Sequence, residues 1–235
     1  MALARQWISP RIRQRYGISL LLILTSIIVQ IAAPETQMGR VVVVVLYGLT
    51  LTTAMVAADS PPALIRIARI VVTILILGSA GLTLGLPDVG VWTTRISTLI
   101  LVFVAPGVII RGLIRHGVEE GIVTVQTMFG VLCLYLLLGL AFAAVYNVAA
   151  GLDGGTFFID GDPTISNFLF FSFSTLTTTG YGNLIPLHGF GKSMATLESL
   201  LGQVYLVTVV ATIVGNLGRK PKLKSRRGTS AAKSR

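Results

Sequence analysis

Long apolar runs separated by short polar connections dominate this chain. As a helix, a run of about 20 apolar residues crosses the ~30 Å hydrocarbon core of a bilayer. Six runs come near this length, and the first two lie at its short end. They are Gly17–Ala33, Val41–Ala58, Leu64–Leu86, Val91–Ile110, Ile122–Ala149 and Met194–Leu217. The pattern predicts an all-α membrane protein with six transmembrane helices.

The composition favours a membrane protein over a soluble one. The 235 residues are 53% hydrophobic and 12% charged, whereas soluble domains are about 25% charged. The first run follows arginine-rich residues, as a secretory signal would, but QIAAPETQ after it makes a poor cleavage site. We expect this run to be retained as a helix. The single cysteine, Cys133, lies inside the fifth run and is predicted to be an apolar packing residue.

Basic residues indicate the orientation, because Lys and Arg concentrate in cytoplasmic loops. With the N-terminus inside, 16 of the 19 basic residues fall on the inner side, and only Arg40, Arg95 and Lys192 fall on the outer side. The sequence therefore predicts a multi-pass protein of the cell (plasma) membrane. Both termini are predicted to be cytoplasmic, and the segment between the fifth and sixth helices is predicted to face outward.

The net charge of +10 follows from the same distribution. The basic residues lie at membrane ends rather than on one folded face, so nucleic acid is not an expected partner. The tail RKPKLKSRRGTSAAKSR, residues 219–235, is predicted to be a disordered cytoplasmic anchor of the topology. The alternative is that it binds anionic lipid headgroups, which attract polybasic segments beside a membrane.

Four segments follow from these patterns. They are a cytoplasmic N-terminal segment at residues 1–16, a four-helix transmembrane domain at 17–115, a second membrane domain at 116–218 and the basic tail. No internal repeat is evident between the halves, which weighs against transporters built from inverted repeats.

The 44 residues from Ala150 to Ser193 hold a short apolar stretch that cannot cross a membrane. Asp162 is predicted to cap its helix, with Pro163 in the first turn. About twelve apolar residues follow, and as a helix they span roughly 18 Å. Such a segment is expected to enter the membrane and return, which is tolerated where its non-helical part lines a water-filled cavity or is buried in protein.

The predicted return limb is STLTTTGYGNLIP, from Ser174 to Pro186. Gly180 and Gly182 permit backbone angles that turn successive carbonyls to one side. Thr178 adds a hydroxyl at the inner end, and such a column of oxygens can replace the water around a monovalent cation. The partially negative C-terminus of the short helix favours a cation at the same place.

The stretch TTTGYG, Thr177 to Gly182, resembles the selectivity filter of potassium channels, whose common form is Thr-Val-Gly-Tyr-Gly. The resemblance extends from the fifth helix to the end of the sixth and identifies residues 116–218 as a pore domain. It implies that the carbonyls of Thr178, Thr179, Gly180 and Tyr181 bind K⁺, with the Thr178 hydroxyl at the innermost site. Gly182 would shape the outer mouth. A filter built from four loops implies a homotetramer.

Three positions depart from the common family pattern. Thr179 stands where many members have valine, and Asn183 replaces a frequent aspartate at the pore mouth. Phe170 and Phe171 occupy positions often held by tryptophans that brace the filter, so any brace here must be apolar. The change at Asn183 concerns conductance and filter stability more than selectivity.

Polar and small residues around the last helix are candidates for further roles. Gly202 is a candidate gating hinge by the same resemblance, with close helix packing as the alternative. Glu198 lies one turn earlier, and intramembrane carboxylates are costly and commonly functional. It is expected to support the filter by hydrogen bonds to Ser and Thr of the short helix, Ser174 among them, or else to attract cations directly. His188 is expected to be a solvated loop residue or a pH sensor.

The fourth run carries few charges for a voltage sensor. Arg95 lies near its outer end and Arg111 and Arg115 at its inner end, with no charge in the fifteen residues between Arg95 and Arg111. Pro106 is expected to kink this helix. We interpret the first four helices as a packing collar around the pore.

The sequence therefore predicts a potassium-selective channel that conducts K⁺ passively and carries no cofactor. No catalytic constellation or nucleotide loop is evident, so an enzyme is not expected. The alternatives are a non-selective cation channel and a non-conducting membrane sensor or subunit with a filter-like loop. An ion-coupled potassium transporter would require several such loops, and one is present.

Overall fold

Seven α-helices make up the part of the chain that the computed structural model describes, residues 16–32, 36–58, 60–85, 87–120 and 125–216. They are α1 Tyr16–Ala32, α2 Gln37–Ala57, α3 Pro62–Gly85, α4 Pro87–Glu120, α5 Val125–Leu152, α6 Ile165–Leu176 and α7 Gly189–Asn216. The predicted N-terminal segment up to residue 15 and the basic tail lie outside the described residues. The helical architecture confirms the all-α prediction.

Within the described residues, four helices are long and apolar enough to cross a membrane. The qualifying parts are Gly39–Ala57 in α2, Pro62–Leu82 in α3, Val89–Ile114 in α4 and Thr127–Leu152 in α5. The 17-residue α1 and the 12-residue α6 are shorter apolar helices. These spans support a multi-pass membrane protein, while the count of six spans stays a prediction.

The helices before α5 pack on one another and against the second half of the molecule. Helix α1 contacts α2, and α2, α3 and α4 contact one another, while α1 and α4 also contact α5. Burial of apolar side chains such as Val44, Leu101 and Ile109 holds this unit together. Gln30 adds a polar tie, because its Nε2 donates to the Tyr47 hydroxyl of α2 at 2.9 Å.

Helix α4 continues through Pro106 to Glu120, so the predicted division at residue 116 falls inside it. Arg95 lies near the start of α4, where its guanidinium is 5.4 Å from the centre of the Trp92 ring. A side chain added at Gly151 would collide with Arg95 Nη1. The guanidinium therefore lies against the C-terminal end of α5, where the helix dipole favours a cation.

The segment between α5 and α7 forms a hairpin around α6. Its two outer limbs meet at a bridge between Phe158 and Pro186, with Ile159 N donating to Ile185 O at 2.9 Å and Leu187 N to Phe157 O at 2.8 Å. Helix α7 begins at Gly189, five residues before the predicted start at Met194. The bridge therefore ties the segment before α6 to the segment after it.

The prediction that Asp162 caps α6 is wrong. Thr164 is the cap, and its Oγ1 accepts from Asn167 N at 3.1 Å. The Asp162 carbonyl instead accepts from the Asn167 side-chain amide at 2.8 Å. Both Asp and Thr are favoured caps. The helix begins two residues later than expected because the Thr164 hydroxyl accepts from Asn167 N in the first turn.

Candidate functional site

Helix α6 is fixed by an aromatic cluster on its buried face. Phe168 and Phe171 pack against Phe157, with ring centres 5.4 Å and 6.4 Å apart, and Phe171 also meets Tyr146 of α5 at 5.2 Å. Edge-to-face contacts of this kind add about 0.5–1.5 kcal/mol each beyond burial. The packing is apolar, as the replacement of tryptophan by phenylalanine predicts. It holds α6 firmly enough to position the loop at its end.

The backbone of the loop after α6 alternates in handedness. Thr178, Gly180 and Gly182 have φ values of +56°, +57° and +79°, while Thr179 and Tyr181 between them do not have positive φ. Alternation between left- and right-handed angles turns successive peptide groups so that their like ends fall on one side. The sign of φ thus alternates along Thr178–Gly182, and a column of carbonyls on one side of this loop stays a prediction.

The amide groups of this loop bond back to α6. Thr178 N donates to Thr175 O at 2.9 Å, and Thr179 N and Gly180 N donate to Ser174 O at 2.8 Å and 3.2 Å. Ser174 thus supports the loop through its carbonyl, while its hydroxyl donates to Phe171 O at 3.1 Å. These bonds satisfy terminal carbonyls of α6, which have no partner within the helix itself.

The carbonyls of the loop are arranged differently from its amides. Across the described residues, no hydrogen bond uses the carbonyl oxygens of Thr178, Thr179, Gly180 or Tyr181. All four residues are exposed at the surface of the single chain. Buried backbone acceptors are nearly always paired within a folded protein, whereas exposed carbonyls such as these are open to water or to a ligand. A row of four consecutive acceptors without protein partners is therefore suited to a ligand that accepts electron density from oxygen, such as a cation.

The aromatic ring of Tyr181 closes one side of the loop. It stacks on Phe170 of α6, with ring centres 5.2 Å apart and planes 21° apart. The Thr177 and Thr179 hydroxyls lie 2.8 Å from each other. The first contact holds the Tyr181 ring against α6, and the second links the side chains at the start of the loop. Asn183 and His188 follow at exposed positions further along the return limb.

Glu198 of α7 is fully buried behind α6 and links three helices. Its Oε2 accepts from the Tyr146 hydroxyl of α5 at 2.7 Å, and its Oε1 is hydrogen-bonded to Ser172 Oγ of α6 at 2.5 Å. The expected serine partner on α6 is thus Ser172, and Ser174 does not take this role. Glu198 is thus a buried link between α5, α6 and α7, and its two expected roles, support of a filter and direct attraction of cations, stay predictions.

The hydrogen bonds of Ser172 indicate where the protons lie. Ser172 Oγ is also 2.7 Å from Gly139 O. A serine hydroxyl has one proton, so Ser172 cannot donate fully to both Gly139 O and Glu198 Oε1. Both bonds form when Ser172 donates to Gly139 O and a protonated Glu198 donates to Ser172 Oγ. A neutral carboxyl group would also avoid the cost of burying an unpaired charge.

Gly202 is buried where α7 crosses the end of α6. A Cβ at this position would collide with the Leu176 carbonyl oxygen. Beside it, Ser199 Oγ donates to Thr175 O at 3.2 Å, and Tyr135 Oη of α5 donates to Leu176 O at 3.4 Å. Gly202 thus permits the close approach of α7, which is the packing alternative of the sequence analysis. A hinge role for it stays a prediction.

The structure brings most of the predicted site residues together at the C-terminal end of α6. Ser174 O accepts from the amides of Thr179 and Gly180, and Glu198 and Gly202 approach α6 from α7. Sequence reasoning missed Ser172, Tyr146 and Gln203, whose Nε2 donates to Thr178 Oγ1 at 2.8 Å. The available signal was the presence of polar side chains inside otherwise apolar helices.

Comparison with known proteins places the site inside a recognised type of domain. Residues 130–219 match the family model described as ion channel. No curated protein matches the chain, and no solved structure matches it. The matched segment runs from α5 past the end of α7 and contains the whole site. The match supports an ion channel family for this chain and a role in ion transport across a membrane.

Proposed function

We propose that this protein is a potassium-selective channel that conducts K⁺ passively through a homotetrameric pore in the cell membrane. The observation that carries the proposal is the exposed row of carbonyls at Thr178–Tyr181, whose neighbouring amides bond back to α6. Carbonyl rings of this kind replace the hydration shell of K⁺. The Thr178 hydroxyl would complete the innermost site, and Gly182 would shape the mouth.

The proposed tetramer follows from the exposure of this row. The carbonyls of this row have no hydrogen-bond partner among the described residues, and four copies around an axis would enclose an ion with them. The exposed apolar residues of α7 that would line the inner pore or meet other subunits include Leu200, Val204 and Val207. In this arrangement α5 and α7 would surround the pore, and both termini would face the cytoplasm.

A flux assay tests the proposal. Purified protein in vesicles loaded with K⁺ is expected to release K⁺ down its gradient, with no release of Na⁺ from matched Na⁺ vesicles. Protein-free vesicles and vesicles with denatured protein serve as controls. Equal release of both ions would identify a non-selective cation pore, and no release from assembled protein would identify a non-conducting sensor or subunit.

The substitution Asn183→Asp is expected to raise single-channel conductance at low salt. Four added carboxylates at the mouth would concentrate cations there, and this attraction is screened within ~3 Å at 1 M salt but reaches ~30 Å at 0.01 M. The conductance gap to the parent should therefore close as salt rises. The neutral variant Asn183→Ser is the control and should show no such gain. Equal conductance at low salt would show that position 183 lies away from the ion path.

Voltage dependence is expected to be shallow. Each charge that crosses the membrane contributes about 2.3 kcal/mol per 100 mV, and Arg95 is held by Trp92 and the end of α5. Open probability measured between about −100 and +100 mV should give an apparent gating charge of about one or less per subunit. Arg95→Gln should remove this shallow dependence of open probability on voltage. A steep transition worth several charges per subunit would contradict the interpretation of α1–α4 as a collar.

A further inference from the structure

Gln203 joins the middle of α7 to the inner end of the carbonyl row. Its Nε2 donates to Thr178 Oγ1 at 2.8 Å, although the two residues are 25 positions apart. The glutamine follows Gly202, where α7 meets the last carbonyl of α6 most closely. The contact therefore depends on the position of α7 as well as on the side chain.

The bonds of the Thr178 hydroxyl fix its orientation. Thr178 Oγ1 donates to Thr177 O at 2.7 Å and accepts from Gln203. A hydroxyl has one proton and two lone pairs, so its proton and one lone pair are committed. The second lone pair is left for a ligand. A cation would meet this lone pair without first turning the hydroxyl proton away.

The backbone of Thr178 also needs support. Its φ of +56° is in the left-handed region, which is a genuine outlier for a β-branched residue. Such residues persist only where the surroundings hold them in place. On the α6 side, the support is the bond from Thr178 N to Thr175 O at 2.9 Å. From α7, it is the amide of Gln203.

We propose that Gln203 is a positioning residue for the innermost ion site, holding Thr178 so that its hydroxyl lone pair faces the permeant cation. This inference rests on the proposed function, because it assigns an ion site to Thr178. It adds a physical link between α7 and the carbonyl row: a displacement of α7 that breaks this hydrogen bond would weaken cation binding at the inner site.

The test uses Ba²⁺ applied from the cytoplasmic side of the full-length protein in a planar bilayer. Ba²⁺ is close to K⁺ in radius and carries twice the charge, so it reports on binding at the inner site. Gln203→Met keeps the length of the side chain and removes the amide donor. Thr208→Val is the matched control, because Thr208 lies on the same helix and its hydroxyl bonds only to Val204 O and Tyr205 O.

Loss of one hydrogen bond, worth about 1 kcal/mol, corresponds to roughly a five-fold change in affinity, and the proposed homotetramer would lose one in each of its four subunits. Gln203→Met is therefore expected to raise the Ba²⁺ concentration for half-block at least about five-fold, and Thr208→Val to leave it unchanged. In a Thr178→Val background, which lacks the hydroxyl, adding Gln203→Met should have no further effect on block. This non-additivity separates positioning through Thr178 from a general structural effect.

The outcomes distinguish this inference from the proposed function. If the parent protein conducts K⁺ and Gln203→Met blocks like the parent, the positioning role is overturned and the channel assignment stands. An equal change in Thr208→Val, or a full Gln203 effect in the Thr178→Val background, would also overturn it. If the parent carries no K⁺ current, the proposed function itself fails.

Discussion

Replacing Gly180 with alanine is expected to abolish selective K⁺ flux in the proposed tetramer. Gly180 has a φ of +57°, and no atom lies close enough to collide with an added methyl group. The penalty is therefore one of backbone conformation. A left-handed residue other than glycine costs about 1–2 kcal/mol, so four subunits would lose roughly 4–8 kcal/mol. That corresponds to a drop of at least roughly 700-fold in the population of the conducting loop.

The loop between α5 and α6 offers a matched control for this substitution. Gly154 has a φ of +70° and equal space for a methyl group, but it lies outside the carbonyl row. Gly154→Ala should carry a similar backbone cost and leave the ratio of K⁺ to Na⁺ flux unchanged. K⁺ and Na⁺ fluxes of both variants in vesicles, after a check of tetramer assembly, provide the measurement. Parent-like selectivity in an assembled Gly180→Ala protein would refute the assignment of the row.

The second large effect is expected at Glu198, where Glu198→Gln and Glu198→Met should differ in flux and in thermal stability. Glu198→Gln keeps an acceptor for the Tyr146 hydroxyl and supplies an N–H to Ser172, so it reproduces the bonds of a neutral acid. Glu198→Met keeps the length and leaves the buried Tyr146 hydroxyl without its partner, which costs about 1–3 kcal/mol per subunit. We expect the Glu198→Gln protein to conduct and assemble like the parent, and the Glu198→Met protein to lose thermal stability and flux.

The same pair of variants tests the alternative role of Glu198. If Glu198 attracted cations through a negative charge, Glu198→Gln would remove that function as fully as Glu198→Met. Single-channel conductance and the dissociation temperature of the tetramer, measured for both variants, are therefore decisive. A low conductance in a stable Glu198→Gln protein would favour an ionised carboxylate and contradict the proton arrangement at Ser172.

The parts of the fold that the sequence could predict are those set by local chemistry. Apolar runs located the long helices, because burial in lipid or protein requires continuous apolar faces, but α4 extends ten residues past the predicted end at Ile110 and α7 begins five residues before Met194. The handedness of the loop was predictable at Gly180 and Gly182, since glycine tolerates positive φ. The same angle at Thr178 was not, because it depends on hydrogen bonds from Gln203 and from α6.

The errors concern contacts that depend on how one helix is turned toward another. Ser172 and Ser174 are two positions apart, which places them on nearly opposite faces of α6. Composition alone cannot tell which face meets Glu198, and the tertiary packing selects Ser172. The cap of α6 was misplaced for a related reason, since Asp162 and Thr164 are both good caps. Only the path of the incoming chain determines which side chain reaches the first amide.

The reversal potential under bi-ionic conditions tests the central claim most directly. Full-length protein in a planar bilayer would face K⁺ on one side and an equal concentration of Na⁺ on the other. The exposed carbonyl row at Thr178–Tyr181 predicts a current carried by K⁺. The reversal potential should then be displaced far from zero, toward the equilibrium potential of K⁺. Gly180→Ala should remove this current. A parent current that reverses near zero, with K⁺ and Na⁺ passing equally, would contradict the account.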